Sequence, residues 1–369
     1  MSLITIDYND LLLTSVDDPS SNSKLSSQLA SAFGPDSLGI ICISNIPDFS
    51  RYKQEFLQLA HELVNLPEEY REEKLTDVKS FYNAGWSFGK EKLGDKPDFA
   101  KASFYFNPIT DVPGTPELRE TYPASYPCNK WPTELLPQLE PKGKQLGLLM
   151  KEVVAKLARH VDIYIQSKCP SYQAILASKM RDTEKVKGRL LYYYPHSSSS
   201  SSAMTDSWIG WHNDSGFFTA LAGDAYIDHT NGQIVDPSMV DPNAGLYVMN
   251  RNGDVTKVCI PEDVMAVQIG ECLQIISGGC IVATPHCVKG ADPTFGSGTI
   301  ARVSFPCFVD MVPEFPLRVP DGCTKDQVLD CSVKGCAKVP PLGERWDDGK
   351  TFGDFLADTF KKYYEWSKP

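Results

Sequence analysis

Several features that common alternatives would require are scarce or missing in this sequence. Basic residues are in deficit: 36 Lys and Arg stand against 47 Asp and Glu, giving a formal charge of −11. An acidic surface repels phosphate backbones, which argues against nucleic acid and anionic membranes as partners. No apolar run is long enough to span a bilayer. The opening MSLITIDYNDLLL lacks the basic stretch, apolar core and small-residue cleavage site of a signal peptide, so a cytoplasmic location is expected. The 11 cysteines, an odd number scattered from Cys42 to Cys336, contain no C-x-x-C pair. They read as free thiols in a reducing compartment. Cys323, Cys331 and Cys336 cluster late in the chain without a nearby His, so a zinc site is not expected there.

What is present is material for a large core: 42% hydrophobic residues, with 16 Tyr and 17 Phe. SLITIDY alternates like a strand, and SLGIICISNI (37–46) is a second strand-like run between Pro35 and Pro47. Residues 51–66 carry apolar side chains at helical spacing and stop at Pro67, while 81–132 reads as mostly irregular. The strongest helical pattern covers 143–166, and His160 on it reads as an ordinary helix histidine. From Lys187 onward short β-type runs dominate: 189–194, 245–249, 255–260, 264–269, 272–276, 280–284 and 300–309. Gly, Pro, Asn and Asp punctuate them, as in an antiparallel sandwich or barrel. The serine tract 197–202 cannot pack a core and reads as a flexible loop, and 351–366 reads as a closing helix.

Chemistry concentrates in GWHNDSGFFTAL, where His212 and Asp214 stand two apart. Residues two apart in a strand share a face, so an imidazole and a carboxylate would enter one side of the sheet. They supply two of the three ligands of a 2-His-1-carboxylate iron site. In a chain with 6 histidines such a triplet arises readily by accident, so context decides. The context is GECLQIISGGCIVATPHCV, ending near His286, followed by Arg302 and Ser304 on one face of an apolar strand. An inward arginine needs an anion, and its planar fork suits a carboxylate. A core Asp or Glu would serve as well, but no acidic residue stands out on the neighbouring β-type runs. Trp211, Phe217 and Phe218 beside the metal motif read mainly as core, and His61 and His196 as structural.

The order H-x-D, G-[DE]-x-L-Q-[IV]-x-S-x-G, H-x-V and R-x-S resembles the isopenicillin-N-synthase-like branch of the 2-oxoglutarate/Fe(II) dioxygenases. The match is strong over 186–310 and looser at the N-terminus. The resemblance implies a mainly β protein with flanking α: a double-stranded β-helix (jelly-roll) core, an N-terminal α/β region and a C-terminal helix. The organisation it implies is an N-terminal α/β region over 1–130, then over 131–369 a helix, the catalytic core and a C-terminal extension. His212, Asp214 and His286 match the family's metal ligands. Arg302, Ser304 and Tyr194 match the residues that hold the far carboxylate of 2-oxoglutarate, Tyr194 through the family's N-x-Y motif. The implied activity is oxidation of a small organic molecule (hydroxylation or desaturation) with Fe(II), 2-oxoglutarate and O₂, releasing succinate and CO₂. The alternatives are an Fe(II) oxidase of the family that does not use 2-oxoglutarate, a jelly-roll metalloenzyme of another class, and a non-enzymatic metal-binding jelly roll. The chain departs from the pattern in three places. Tyr192 stands where N-x-Y has Asn, Cys287 follows the distal His, and an insertion occupies about 224–244. Asp228 and His229 within that insertion read as solvated loop residues.

Overall fold

The computed structural model describes residues 3–13, 19–90, 92–93, 96–195, 208–292, 295–332 and 339–366. The serine tract, His196 and Cys336 lie outside the described residues. Twelve strands build the two main sheets. They are β1 (Thr5–Asp7), β2 (Ile40–Ser44), β3 (Gly85–Phe88), β4 (Lys101–Phe106), β5 (Val186–Tyr193) and β6 (Ile209–His212), then β7 (Phe218–Asp228), β8 (Gly245–Met249), β9 (Val255–Lys257), β10 (Met265–Ile269), β11 (His286–Lys289) and β12 (Ile300–Val309). The larger sheet runs β1-β2-β10-β7-β12-β5-β4-β3, and the smaller runs β9-β8-β11-β6.

Strand periodicity divides the large sheet into two faces, each with its own core. One face joins the small sheet: Ile40, Cys42, Leu191 and Ala266 pack with Leu246, Val248 and Val288. The other faces the helices, chiefly the helix Leu139–Lys168, whose Leu146, Met150, Val153, Leu157 and Val161 are fully buried. Spacings of three and four keep those side chains on one stripe. Burying each large aliphatic side chain contributes on the order of 1.5–3 kcal/mol. Close approach at this contact relies on Gly143, where a Cβ would press on Phe106 and Phe56 at 2.9 Å. The result is the jelly roll with flanking helices that the resemblance implied, and four N-terminal strands join its larger sheet. The closing helix spans Phe352–Trp366. Among the described residues, no helix is long and apolar enough to cross a membrane.

The sequence pattern misplaced several elements. The main helix starts at Leu139 rather than 143, because Pro141 sits in the first turn, where its missing N–H is harmless. The stretch 51–66 is two helices, Phe49–Leu57 and Leu59–Val64. The irregular stretch contains β3 and β4, which extend the large sheet beside β5. CLQII is not a strand but the helix Glu271–Ile276. Every residue of it is buried, so no periodicity distinguishes helix from strand. CIVAT contains no strand, and the pairing segment begins at His286.

Candidate active site

His212 closes β6 and His286 opens β11, and the two are direct partners across the small sheet. Their ring centroids lie 4.2 Å apart. Asp214 lies just beyond the strand end, yet its Oδ1 reaches 4.0 Å from His212 Nε2 and 3.8 Å from His286 Nε2. One ligand atom from each of the three residues fits within a 4.8 Å span, the size of a single-ion site.

The surroundings fix which atoms face one another. His212 Nδ1 donates to Gly210 O at 2.8 Å, and His286 Nδ1 donates to Thr284 O at 3.2 Å. Both Nε2 atoms are thereby left as acceptors directed at Asp214, the tautomer a metal-binding imidazole needs. Thr219 Oγ1 donates to Asp214 Oδ2 at 2.6 Å, which leaves Oδ1 turned to the histidines. Burial, then the neighbouring His286, pushes His212 down to about 4, so its ring is neutral at pH 7.

The turn carrying Asp214 is clamped from below. Glu271 N and Cys272 N, at the start of the buried helix, donate to Asp214 O and Gly216 O at 2.8 and 3.1 Å. Asn213 Nδ2 donates to Glu271 Oε1 at 3.0 Å. Glu271 in turn receives both arms of Arg345, at 2.6 and 2.7 Å, in a pair with side chains 2% and 0% exposed. Gly216 is required here, since a Cβ would run into the Asp310 carboxylate. No sequence pattern announced Arg345, 74 residues from its partner.

A cavity of about 1020 Å³ opens between the sheets beside the triad, bordered by Tyr193, Asp224, Arg302 and Ser304 among others. Arg302 and Ser304 share its inner face, as expected. The expected absence of a core acid is corrected: Arg302 Nη2 donates to Asp224 Oδ1 at 2.6 Å. Asp224 belongs to the long strand β7, which runs to Asp228, and not to a loop. Among the described residues Arg302 Nε and Nη1 are buried without a hydrogen-bond partner, so the guanidinium is only part-satisfied.

Tyr194 is also corrected. In register, Arg302 faces Tyr193, whose ring lies 4.8 Å from the guanidinium carbon. Tyr194 points to the opposite face with Tyr192, its ring against Phe88 and His229. The tyrosine bordering the cavity therefore has Leu191, not Asn, two residues before it. His229 is half-buried, accepting or donating at 2.8 Å with Tyr192 Oη, and lies away from the cavity. His61 Nε2 donates to His229 O at 3.0 Å. His160 is buried against Leu11 O, and Phe217 and Phe218 are core. Of the cysteine cluster, Cys323 instead approaches Cys169, with sulfurs 3.5 Å apart.

No family model matches this chain, and no curated protein does. Solved structures do resemble it. A full-length Neurospora crassa protein in complex with alpha-KG superposes with a TM-score of 0.68 at 19% identity, over 98% of this chain and 96% of that one. The dioxygenase for auxin oxidation (DAO) in rice gives 0.60 at 15%, over 98% and 96%. JOX2 in complex with 2OG, Fe and JA gives 0.63 at 16%, over 97% and 85%. The fold is thus the one found in 2-oxoglutarate/Fe(II) oxygenases.

Proposed function

We propose that this chain, which shares the oxygenase fold, is an Fe(II)- and 2-oxoglutarate-dependent oxygenase acting on a small organic molecule. The observation that carries the reading is the triad itself. Two imidazoles with Nδ1 tied to carbonyls and one carboxylate with a single free oxygen converge within 4.8 Å on a cavity wall. This set of one oxygen and two nitrogen donors suits Fe(II) and leaves coordination positions toward the cavity. The solved structures bear on the cosubstrate, since the Neurospora crassa protein and JOX2 were crystallised with it.

In this reading His212, Asp214 and His286 hold the ion. Arg302 offers its unpartnered Nε and Nη1 to the far carboxylate of 2-oxoglutarate, with Ser304 beside it and Tyr193 in the place expected of Tyr194. When bound, iron with 2-oxoglutarate and O₂ supplies the oxidising chemistry and yields succinate and CO₂. The protein's part is to orient both small molecules and exclude water. The site belongs to the 131–369 segment, with 1–130 as its N-terminal elaboration. A second reading, an Fe(II) oxidase that does not use 2-oxoglutarate, rests on Asp224, which already answers part of the Arg302 charge.

The test is a screen of small-molecule pools for substrate-stimulated succinate release from 2-oxoglutarate by the iron-loaded enzyme. Release that depends on a pool component is expected. A product formed from O₂ without succinate would replace this reading with the oxidase.

A further inference from the structure

Away from the cavity, two cysteines that the candidate site does not use come together from distant parts of the chain. Cys169 caps the helix Leu139–Lys168, its N–H donating to Ile165 O at 2.7 Å. Cys323 stands just before the helix Lys325–Asp330, its N–H donating to Pro320 O at 3.0 Å. Their sulfurs are 3.5 Å apart, although 154 positions separate them in the chain. Ser171 ties the two segments together: its hydroxyl donates to Asp321 O and lies 3.3 Å from Cys169 Sγ. Cys169 is buried and Cys323 half-buried, and exposed residues flank both, Pro170 and Ser171 on one side and Asp321 and Gly322 on the other. The pair therefore lies shallow, within reach of a small solute.

The two thiols differ in kind. Burial works against a thiolate at Cys169, but its contacts with Ser171 and Cys323 and the amides of Tyr172 and Ser171 outweigh this and hold its pKa below the ordinary thiol value. Burial, then the contact with Cys169, pushes Cys323 up to about 11. A thiolate beside a protonated thiol is an attacking sulfur with its resolving partner. Neighbouring thiols are placed differently. Burial pushes Cys280 up to about 11, and Cys331 Sγ donates to Gly279 O and Gln327 O at 3.3 and 3.2 Å. Cys323 also rests on the turn that follows the helix Glu271–Ile276, since a Cβ at Gly278 would come 2.6 Å from its sulfur. That helix clamps the Asp214 turn, and the chain between the two cysteines carries His212, Asp214, His286 and Arg302.

We propose that Cys169 and Cys323 form an oxidisable dithiol that reacts with hydrogen peroxide or another small hydroperoxide, and that its closure encloses the candidate active site in one covalent loop. The Cys169 thiolate attacks the peroxide: an S–O bond forms, the O–O bond breaks, and the departing hydroxide takes up the proton that Cys169 released, giving water. The Cys323 sulfur then attacks the sulfenic acid: the S–S bond forms, the S–O bond breaks, and hydroxide leaves with the Cys323 proton as a second water. The thiols lose two electrons and the peroxide gains them. A crosslink over so long a loop constrains the unfolded chain, so oxidation stabilises the fold. Neither iron nor 2-oxoglutarate takes part, and the pair stands apart from the oxygenase reading.

The test treats the full chain, kept free of iron by a chelator so that peroxide meets thiols alone, with a few equivalents of hydrogen peroxide. Peptide mapping should find Cys169 joined to Cys323, formed about tenfold or more faster than oxidation at any other cysteine, and dithiothreitol should restore both thiols. The oxidised protein should melt several degrees above the reduced one. Cys323→Ser should stop at a sulfenic acid on Cys169, trapped by dimedone, and Cys169→Ser should form no crosslink. Neither variant should show the rise in melting temperature, whereas Cys128→Ser should behave like the parent. Mapping of the parent decides the matter even where a variant fails to fold. No Cys169–Cys323 crosslink in the parent, a crosslink that prefers Cys280 or Cys331, or a melting temperature unmoved by oxidation overturns the proposal.

Discussion

Arg302 on β12 and Asp224 on β7 form a 2.6 Å ion pair at the cavity wall, with Arg302 5% and Asp224 27% exposed at the side chain. Burial opposes the guanidinium's charge, and Asp224, with Tyr193 and Tyr226 beside it, more than offsets this, so Arg302 stays cationic. Asp224 is therefore a built-in counter-anion that keeps the arginine charged before a ligand arrives. The two donors it leaves unused, Nε and Nη1, are the ones available to a second carboxylate.

Removing that counter-anion should separate stability from affinity. In Asp224→Asn the apo protein should melt lower, since a buried charge loses its partner. 2-Oxoglutarate should then raise the melting temperature by more than it does in the parent, because it becomes the principal anion for Arg302. A smaller ligand-induced shift, measured by calorimetry, would mean that Asp224 positions Arg302 for the ligand.

Tyr193 and Tyr194 should behave differently despite being neighbours. Tyr193→Leu strips the ring from beside Arg302 and should weaken 2-oxoglutarate binding several-fold. Tyr194→Leu loses contacts with Phe88 and His229 and should lower stability while leaving that affinity alone. Equal affinity losses in the two variants would count against the assignment of faces.

Arg345→Met should destabilise by about 3–5 kcal/mol, the usual consequence of leaving one member of a buried pair uncompensated. Glu271 holds Asn213, so iron affinity should fall as well as stability. Urea denaturation paired with iron titration checks both effects. A variant as stable as the parent would remove the clamp from this account.

Lysines on β5 predict a pH dependence. Lys187 is held down to about 7 and Lys185 to about 8, against an ordinary value of 10.5. Between those values the unfolded chain carries protons that the folded chain has released, so these groups make stability rise with pH from about 7 to about 10.5. Lys187→Met removes its share, and its urea midpoint should climb less steeply over that range. Parallel curves for parent and variant would contradict the shift.

The triad was legible because histidine is scarce and His212, Asp214 and His286 fall in an ordered set of motifs, although Asp214 lies past the strand end, where parity does not reach it. Strand parity did pair Arg302 with Ser304. Parity alone could not separate Tyr193 from Tyr194 in a run of three tyrosines, since the choice depends on register with β12. Asp224 was hidden because β7 continues into what reads as an insertion, so its carboxylate looked like part of a loop. The helix Glu271–Ile276 was missed because full burial erases amphipathic pattern, and its Arg345 partner is a long-range contact. The edge strand β3 and its neighbour β4 lie among Pro and aromatic residues that mask their alternation.

His212, Asp214 and His286 are proposed to hold iron to which 2-oxoglutarate binds with its far end on Arg302. Anaerobic titration of 2-oxoglutarate into the Fe(II) protein, followed by the metal-to-ligand absorption band, tests this most directly. A band that saturates at one equivalent per chain and is absent in His286→Ala is expected. It should need about thirty- to a hundredfold more 2-oxoglutarate in Arg302→Leu, and an intermediate excess in Arg302→Lys, which keeps the charge but loses the fork. An undiminished band in His286→Ala, or parent-like titration of Arg302→Leu, would contradict it.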